Sequence, residues 1–433
     1  MGEDKKDENS SFSFMNEKIK QKPIYQNPLF RKAVTAVICG VLFAAAALLI
    51  WAFALPRIQN GSDEEVVLQP IELAEEDDEA SDETAQLETE DGEQQEDSES
   101  TVYITETVSL ELEDYEKLYQ QLSVIASAAQ KSLVNIAVVS ENMDWFAETF
   151  TTQNTVSGML VGDNGLELLI LTEYDAVSSG DEYVVTFYDY TTAAGTLKKY
   201  DRNTGLAAIS VNLSDISDST KEIITYAELG SSKSVRSGQP VLAVGNPLGS
   251  YGSMLSGSLT SVTQTASLYD GSYNILTTDI VAADGGSGVL INWSGQVVGL
   301  IQEQCEVNAQ SDTIQAYGIS DVKDIIEHLS NSQDIVYMGI IGADVTTAVS
   351  ESENIPVGVY VSEVGMDSPA FRAGIQPGDI IVSMSGQTVT NLSDMKSILL
   401  KCSNDQTIQV ICKRLEKTEY QELELTVDLK ILQ

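Results

Sequence analysis

The chain has 433 residues, 66 acidic against 24 basic, for a formal net charge of −42. That length suits about two or three domains, and so acidic a surface repels phosphate backbones, which excludes nucleic acid as a partner class. The four cysteines, Cys39, Cys305, Cys402 and Cys412, show no CxxC spacing, so neither a zinc site nor a dense disulfide framework is implied and no cofactor or metal is expected. Cys402 and Cys412 read either as buried free thiols or as a bridged pair.

Residues 1–32 carry Lys18, Lys20, Lys22, Arg31 and Lys32, and 33–55 then run 23 residues without a charge. About 20 apolar residues span a bilayer core. Basic residues precede this segment, and none occurs between Arg57 and Lys117. The expected topology is a cytoplasmic tail at 1–32, one transmembrane helix at 33–55, and everything beyond it outside the cytoplasm. The small-x-small pattern Ala52-Phe53-Ala54 leaves a cleaved signal peptide as a second reading. In the linker 56–109, 18 of the 37 residues from 63 to 99 are Asp or Glu. Such a stretch buries too little apolar area to offset its ordering entropy, so a disordered, self-repelling tether is expected.

The stretch 110–133 has helical spacing at Leu118, Leu122, Ile125 and Ala129 and reads as a helix entering the folded part. From 134 to about 320 the pattern becomes short β-type runs, among them VNIAVV, LELLILT, LAAISVNL, PVLAVGN, GVLINW and QVVGLIQ, broken by Gly, Asn, Asp and Ser. Many short strands with turn signals predict an antiparallel barrel or sandwich. A helix follows in SDVKDIIEHLSNS. The segment 336–433, with its own strands and a helix near LSDMKSILLK, forms a second compact unit.

That last unit contains Ser368-Pro369-Ala370, Ala373-Gly374-Ile375, Pro377-Gly378-Asp379-Ile380-Ile381 and Gly386-Gln387. In this order they resemble the PDZ domain found behind HtrA/DegP-like serine proteases. PDZ domains take an extended peptide as an added strand and hold its terminal carboxylate in a nest of backbone amides. By resemblance the nest is Tyr337-Met338-Gly339-Ile340, and Met395 and Leu399 line the apolar pocket, unless they are core residues at helical spacing. Upstream, VSGMLVGDNGLELLILTEYDAV, TGLAAISV, SGQPVLAVGNPLG and SGSLTSVTQ resemble the HtrA/DegP-like protease domain. The resemblance implies a mostly β fold over 110–330, a trypsin-like double barrel, followed by an α+β PDZ domain at 336–433.

A serine hydrolase of this kind needs a histidine to take the serine proton and an aspartate to orient the imidazole. In the family the histidine comes three residues after the threonine of a Leu-Thr strand end, which here is Leu171-Thr172 and places Asp175 at that position. The aspartate precedes a Leu-Ala-Val-type strand, and Gly205 precedes Leu206-Ala207-Ala208. The one histidine of the chain is His328, on the helix between the two units. A carboxylate with a pKa of about 4 is a feeble base toward an alcohol at neutral pH. The serine loop reads Gly285-Gly286-Ser287-Gly288-Val289-Leu290, one residue shorter than the family's Gly-Asn-Ser-Gly-Gly-Pro-Leu. Aligned from the left, Ser287 falls on the nucleophile; aligned from the right, Gly286 does. Gly285 and Gly286 occupy the oxyanion-hole positions, whose backbone geometry the deletion disturbs.

The sequence thus reads as a membrane-anchored, extracytoplasmic pseudoprotease of HtrA type. Its expected partners are unfolded or C-terminal peptides of envelope proteins, and the resemblance implies a homo- or hetero-trimer. Two other readings stand beside it: an active serine endopeptidase in which Lys198 or Lys199 replaces the base, and a non-catalytic structural scaffold.

Overall fold

The computed structural model describes residues 69–73, 111–143, 149–180, 182–302 and 312–432. The tail 1–32 and the apolar segment 33–55 lie outside them, and no described helix is long and apolar enough to cross a membrane. Helix α1 (Leu112–Gln130) comes first, with Leu122 and Ala126 buried. Strands β1 (Leu133–Met143), β2 (Thr149–Asp163) and β3 (Glu167–Glu173) follow, then the short helix α2 (Tyr174–Val177) and strands β4 (Glu182–Thr186), β5 (Thr192–Asp201) and β6 (Leu206–Asn212). These six strands close into a barrel in the order β1-β2-β3-β6-β5-β4.

After α3 (Asp218–Ile223), strands β7 (Pro240–Asn246), β8 (Ser253–Leu268), β9 (Gly271–Val281), β10 (Ser287–Ile291), β11 (Val297–Ile301) and β12 (Thr313–Gly318) follow. They close a second barrel, β10-β11-β12-β9-β8-β7. Helix α4 (Ile319–Ser330) links it to the C-terminal unit. That unit holds β13 (Val336–Tyr337), β14 (Ile340–Val345), α5 (Thr347–Glu353), β15 (Gly358–Val364), α6 (Pro369–Ala373), β16 (Ile380–Met384), β17 (Gln387–Thr388), α7 (Leu392–Leu399), β18 (Thr407–Glu416), β19 (Glu419–Asp428) and β20 (Lys430–Ile431). Its main sheet runs β14-β15-β16-β18-β19, which leaves β14 at an edge.

Several strands are apolar on both faces because the barrels pack on each other as well as on their own interiors. Side chains alternate across a strand. In β6, Ala207 and Ile209 fill the first barrel while Leu206 and Ala208 face the seam. In β7, Val241 and Ala243 fill the second barrel while Leu242 and Val244 face the seam. Helices α1 and α4 close that seam with Leu122, Ala126, Val322, Ile325, Ile326 and Leu329. The C-terminal unit has its own core, which includes Met338, Ile340, Val359, Ile381, Met395, Leu399 and Val410.

Part of the stretch expected to be a disordered tether is docked. The Asn331 side chain, at the end of α4, accepts from the Ile71 N–H (2.9 Å) and donates to the Ile71 carbonyl (2.9 Å). Ile71 lies over Gly162, where a Cβ would stand 3.1 Å from its side chain. An Asn331→Ala variant is expected to lose both bonds, costing about 1–2 kcal/mol. Limited proteolysis should then cut near 69–73 faster than in the wild type; unchanged cleavage would count against this anchoring. Cys402 and Cys412 are both free thiols, and burial pushes the Cys412 thiol up to about 12.

Candidate functional site

The turn before β10 sets the position of Ser287. Gly285 adopts φ 69°, a region that glycine enters without cost, and the Gly286 N–H donates back to Ala283 O at 2.9 Å. An amide committed to its own turn does not point outward as an oxyanion donor would. Ser287 opens β10 and pairs with Asn246 of β7. Its side chain is 2 % exposed, and its hydroxyl oxygen accepts from the Ser157 N–H at 2.9 Å, across the seam.

Close backbone approach allows this crossing. Gly245 lies so near that a Cβ there would stand 2.7 Å from Ser157 Oγ and 2.9 Å from Gly288 Cα. Thr172 Oγ1 donates to the Ser157 carbonyl at 3.0 Å. Ser157, Thr172, Ser287 and Gln302 line a cavity of about 20 Å³, a volume on the scale of one water molecule rather than a peptide side chain.

Asp175 lies on α2 and is exposed, whereas Gly205 is buried. Their segments meet through a 2.7 Å hydrogen bond from the Tyr174 N–H to Gly205 O. Among the described residues, no hydrogen bond links Asp175 or His328 to Ser287, whose hydroxyl oxygen accepts from the Ser157 N–H. His328 instead bridges two elements, with Nδ1 at 2.8 Å from Asp324 O and Nε2 at 2.9 Å from Leu400 O. The two candidate replacement bases are engaged elsewhere: Lys198 pairs with Glu167 at 2.9 Å, and Lys199 pairs with Asp334.

The second site is the nest. Gly339 has φ 90°, and a Cβ there would stand 2.4 Å from Ser368 Cβ, so the loop requires glycine. The loop is braced by bonds from Ala370 N–H to Met338 O and from Gly365 N–H to Gly339 O, both 2.9 Å. Its three amides converge on a carboxylate supplied by the chain itself, that of Asp270. Met338 N–H donates to it at 2.6 Å, Gly339 N–H at 2.9 Å and Ile340 N–H at 3.1 Å. The Asp270 N–H in turn donates to Ile340 O at 2.7 Å. Burial raises the Asp270 carboxyl to about 6, against the pull of the three amides and with a smaller contribution from the Asp201 charge. Tyr337 contributes its ring, 6.1 Å from that of Tyr269. Met395 and Leu399 are 0 % and 3 % exposed, inside the core that holds Met338 and Ile340.

Sequence reasoning missed Ser157, Asp270 and Lys396. The Lys396 ammonium, carried by α7, donates to Asp321 O at 2.5 Å and lies 5.2 Å from the centre of the Tyr273 ring. Burial pulls its pKa down, opposed by Asp324, Asp321 and Asp201. A lysine in a short helix carries no sequence signal for a bond to a carbonyl 75 positions away.

Two closed barrels meeting at a serine, followed by a β-rich unit with an amide nest, define a trypsin-like peptidase domain joined to a PDZ domain. Residues 156–300 match the trypsin-like peptidase domain family, and 337–429 match the PDZ domain family. The chain is 30 % identical over 283 residues to serine protease Do-like HtrB of Bacillus subtilis (strain 168), covering 60 % of each chain. To the probable periplasmic serine endoprotease DegP-like of Pseudomonas savastanoi pv. phaseolicola it is 27 % identical over 272 residues, covering 60 % of this chain and 53 % of that protein. The matches thus span less than two thirds of either relative. The solved structure of the HtrA-type protease AlgW with a decapeptide shares the fold: TM-score 0.50, 18 % identity, and coverage of 72 % of this chain and 98 % of that one. The peptidase domain of this chain is accordingly similar to those of HtrA/DegP-like proteases.

Proposed function

We propose that this chain is an extracytoplasmic HtrA-type pseudoprotease, anchored by residues 33–55, that recognises C-terminal or unfolded peptides of envelope proteins through its PDZ domain. The observation that carries the loss of catalysis is the Ser287 hydroxyl, 2 % exposed and bonded to the Ser157 N–H, with Asp175 and Gly205 at the base and orienter positions. Without a base, serine is a poor nucleophile. A buried hydroxyl is also out of reach of a scissile carbonyl. The uncharged run at 33–55 and the periplasmic name of the Pseudomonas relative support the location.

Purified full-length protein is expected to resist fluorophosphonate labelling and to leave unfolded casein intact. Labelling or cleavage that disappears in Ser287→Ala would overturn the pseudoprotease reading. Occupation of the nest by Asp270 favours one alternative, a scaffold in which the nest serves only as a joint between the domains.

A further inference from the structure

The geometry points to Asp270 as an intramolecular ligand of the PDZ nest, seated where a peptide's terminal carboxylate would bind, so that an incoming C-terminus has to displace the β8–β9 hairpin tip. This inference rests on the PDZ reading above and specifies how that site is regulated.

The hydrogen bonds of Asp270 reproduce what an added strand's last residue would make. Its carboxylate accepts from the amides of Met338, Gly339 and Ile340, and its own N–H donates to Ile340 O at 2.7 Å, the start of edge strand β14. Carboxylate capture by a nest and main-chain pairing at a sheet edge are the two halves of PDZ-type recognition. Among the described residues, the carboxylate makes no bond within its own hairpin, where a turn aspartate commonly satisfies local amides. Asp270 also stands at φ 57°, a left-handed conformation that aspartate tolerates better than most residues.

The tip is presented by a bracket in the first barrel. Asn203 accepts from the Tyr269 N–H at 3.1 Å and donates to the Tyr269 carbonyl at 2.8 Å. The Asn203 N–H is itself tied to the buried Asp201 carboxylate at 3.1 Å, which also takes the Thr204 hydroxyl at 2.6 Å. The turn 201–205 ends at Gly205, the position of the missing catalytic aspartate. That turn now grips the hairpin that fills the nest. Across the same joint, Lys396 and His328 tie α7 and its C-terminal end to α4.

The test compares full-length wild type with Asp270→Asn, which keeps a residue at home in the left-handed region and removes the charge. The probe is a pool of short fluorescent peptides of random sequence ending in valine with a free carboxylate, alongside the same pool as C-terminal amides. A binding site available only when the hairpin leaves has its apparent affinity reduced by the open fraction, so the variant should bind the carboxylate pool at least about tenfold tighter. In the wild type, saturating carboxylate pool should speed amide hydrogen exchange at 269–271. This second measurement decides the matter should the variant fail to fold. Equal binding by both proteins, together with unchanged exchange at the tip, would overturn the intramolecular ligand and leave the PDZ reading standing. If neither protein prefers carboxylates over amides, both readings fall.

Discussion

Placing histidine and aspartate at the two proposed triad positions, in an Asp175→His, Gly205→Asp double variant, is expected to leave the protein without Ser287-dependent peptidase activity. Replacement of a triad's serine or histidine costs a factor on the order of 10⁶ in kcat, so repairing the chemistry would be a large gain if chemistry alone were lacking. Geometry is lacking as well. The Ser287 hydroxyl faces the seam, held by the Ser157 N–H at 2.9 Å, and the neighbouring cavity is about 20 Å³. The Gly286 N–H is turned to Ala283 O, so this amide is not offered to an oxyanion. Gly205 has φ 73°, which aspartate tolerates better than most side chains, so the variant should fold. Its melting temperature would confirm that. Casein cleavage by the double variant that vanishes on adding Ser287→Ala would show that side-chain loss alone silenced the site.

Acidification is expected to stabilise the folded protein through Asp270. Its carboxyl rises from 3.8 unfolded to about 6 in the nest, with burial as the main cause. The folded state therefore binds the proton more tightly than the unfolded chain. Below about pH 4 both states are protonated and the group is neutral in its effect; as pH rises from about 4 the unfolded chain sheds the proton that the folded state keeps, so stability falls until the folded carboxyl ionises in turn at about 6. The full difference is on the order of 3 kcal/mol as an upper bound. Asp201, raised chiefly by burial, tilts stability the same way, and repulsion among the acidic groups adds to the trend. The diagnostic is therefore the difference between proteins: denaturant unfolding of wild type should lose stability relative to Asp270→Asn between pH 4.5 and pH 7.5. Parallel pH profiles would mean that the nest does not hold a buried carboxylate of raised pKa.

Local pattern carried the elements. The helical spacing of Leu118, Leu122, Ile125 and Ala129 became α1, with Leu122 buried and the other three half-buried. Short alternating runs became barrel strands because the inside-outside period of a strand is written in consecutive residues. Side-chain identity is equally legible: position 175 carries an aspartate, and the only histidine of the chain is His328. The glycine of Tyr337-Met338-Gly339-Ile340 was readable too, since positive φ and a Cβ clash with Ser368 select that residue type.

Where the functional groups point was not written locally. Ser287 reads as a nucleophile in its turn, and its burial follows from an amide 130 positions earlier. Asp270 reads as an ordinary hairpin residue in Leu268-Tyr269-Asp270-Gly271, and its partners lie 68 to 70 positions downstream. Ile71 sits in an acidic stretch with no folding signal, yet it is held by an asparagine 260 positions away. Sequence alone determined which side chains stand at which positions and which folds its segments prefer, because propensity, periodicity and side-chain identity act over a few residues. Only the tertiary structure decided that the serine faces inward and that the nest is filled, because a buried polar group takes whatever partner chain closure brings within about 3 Å.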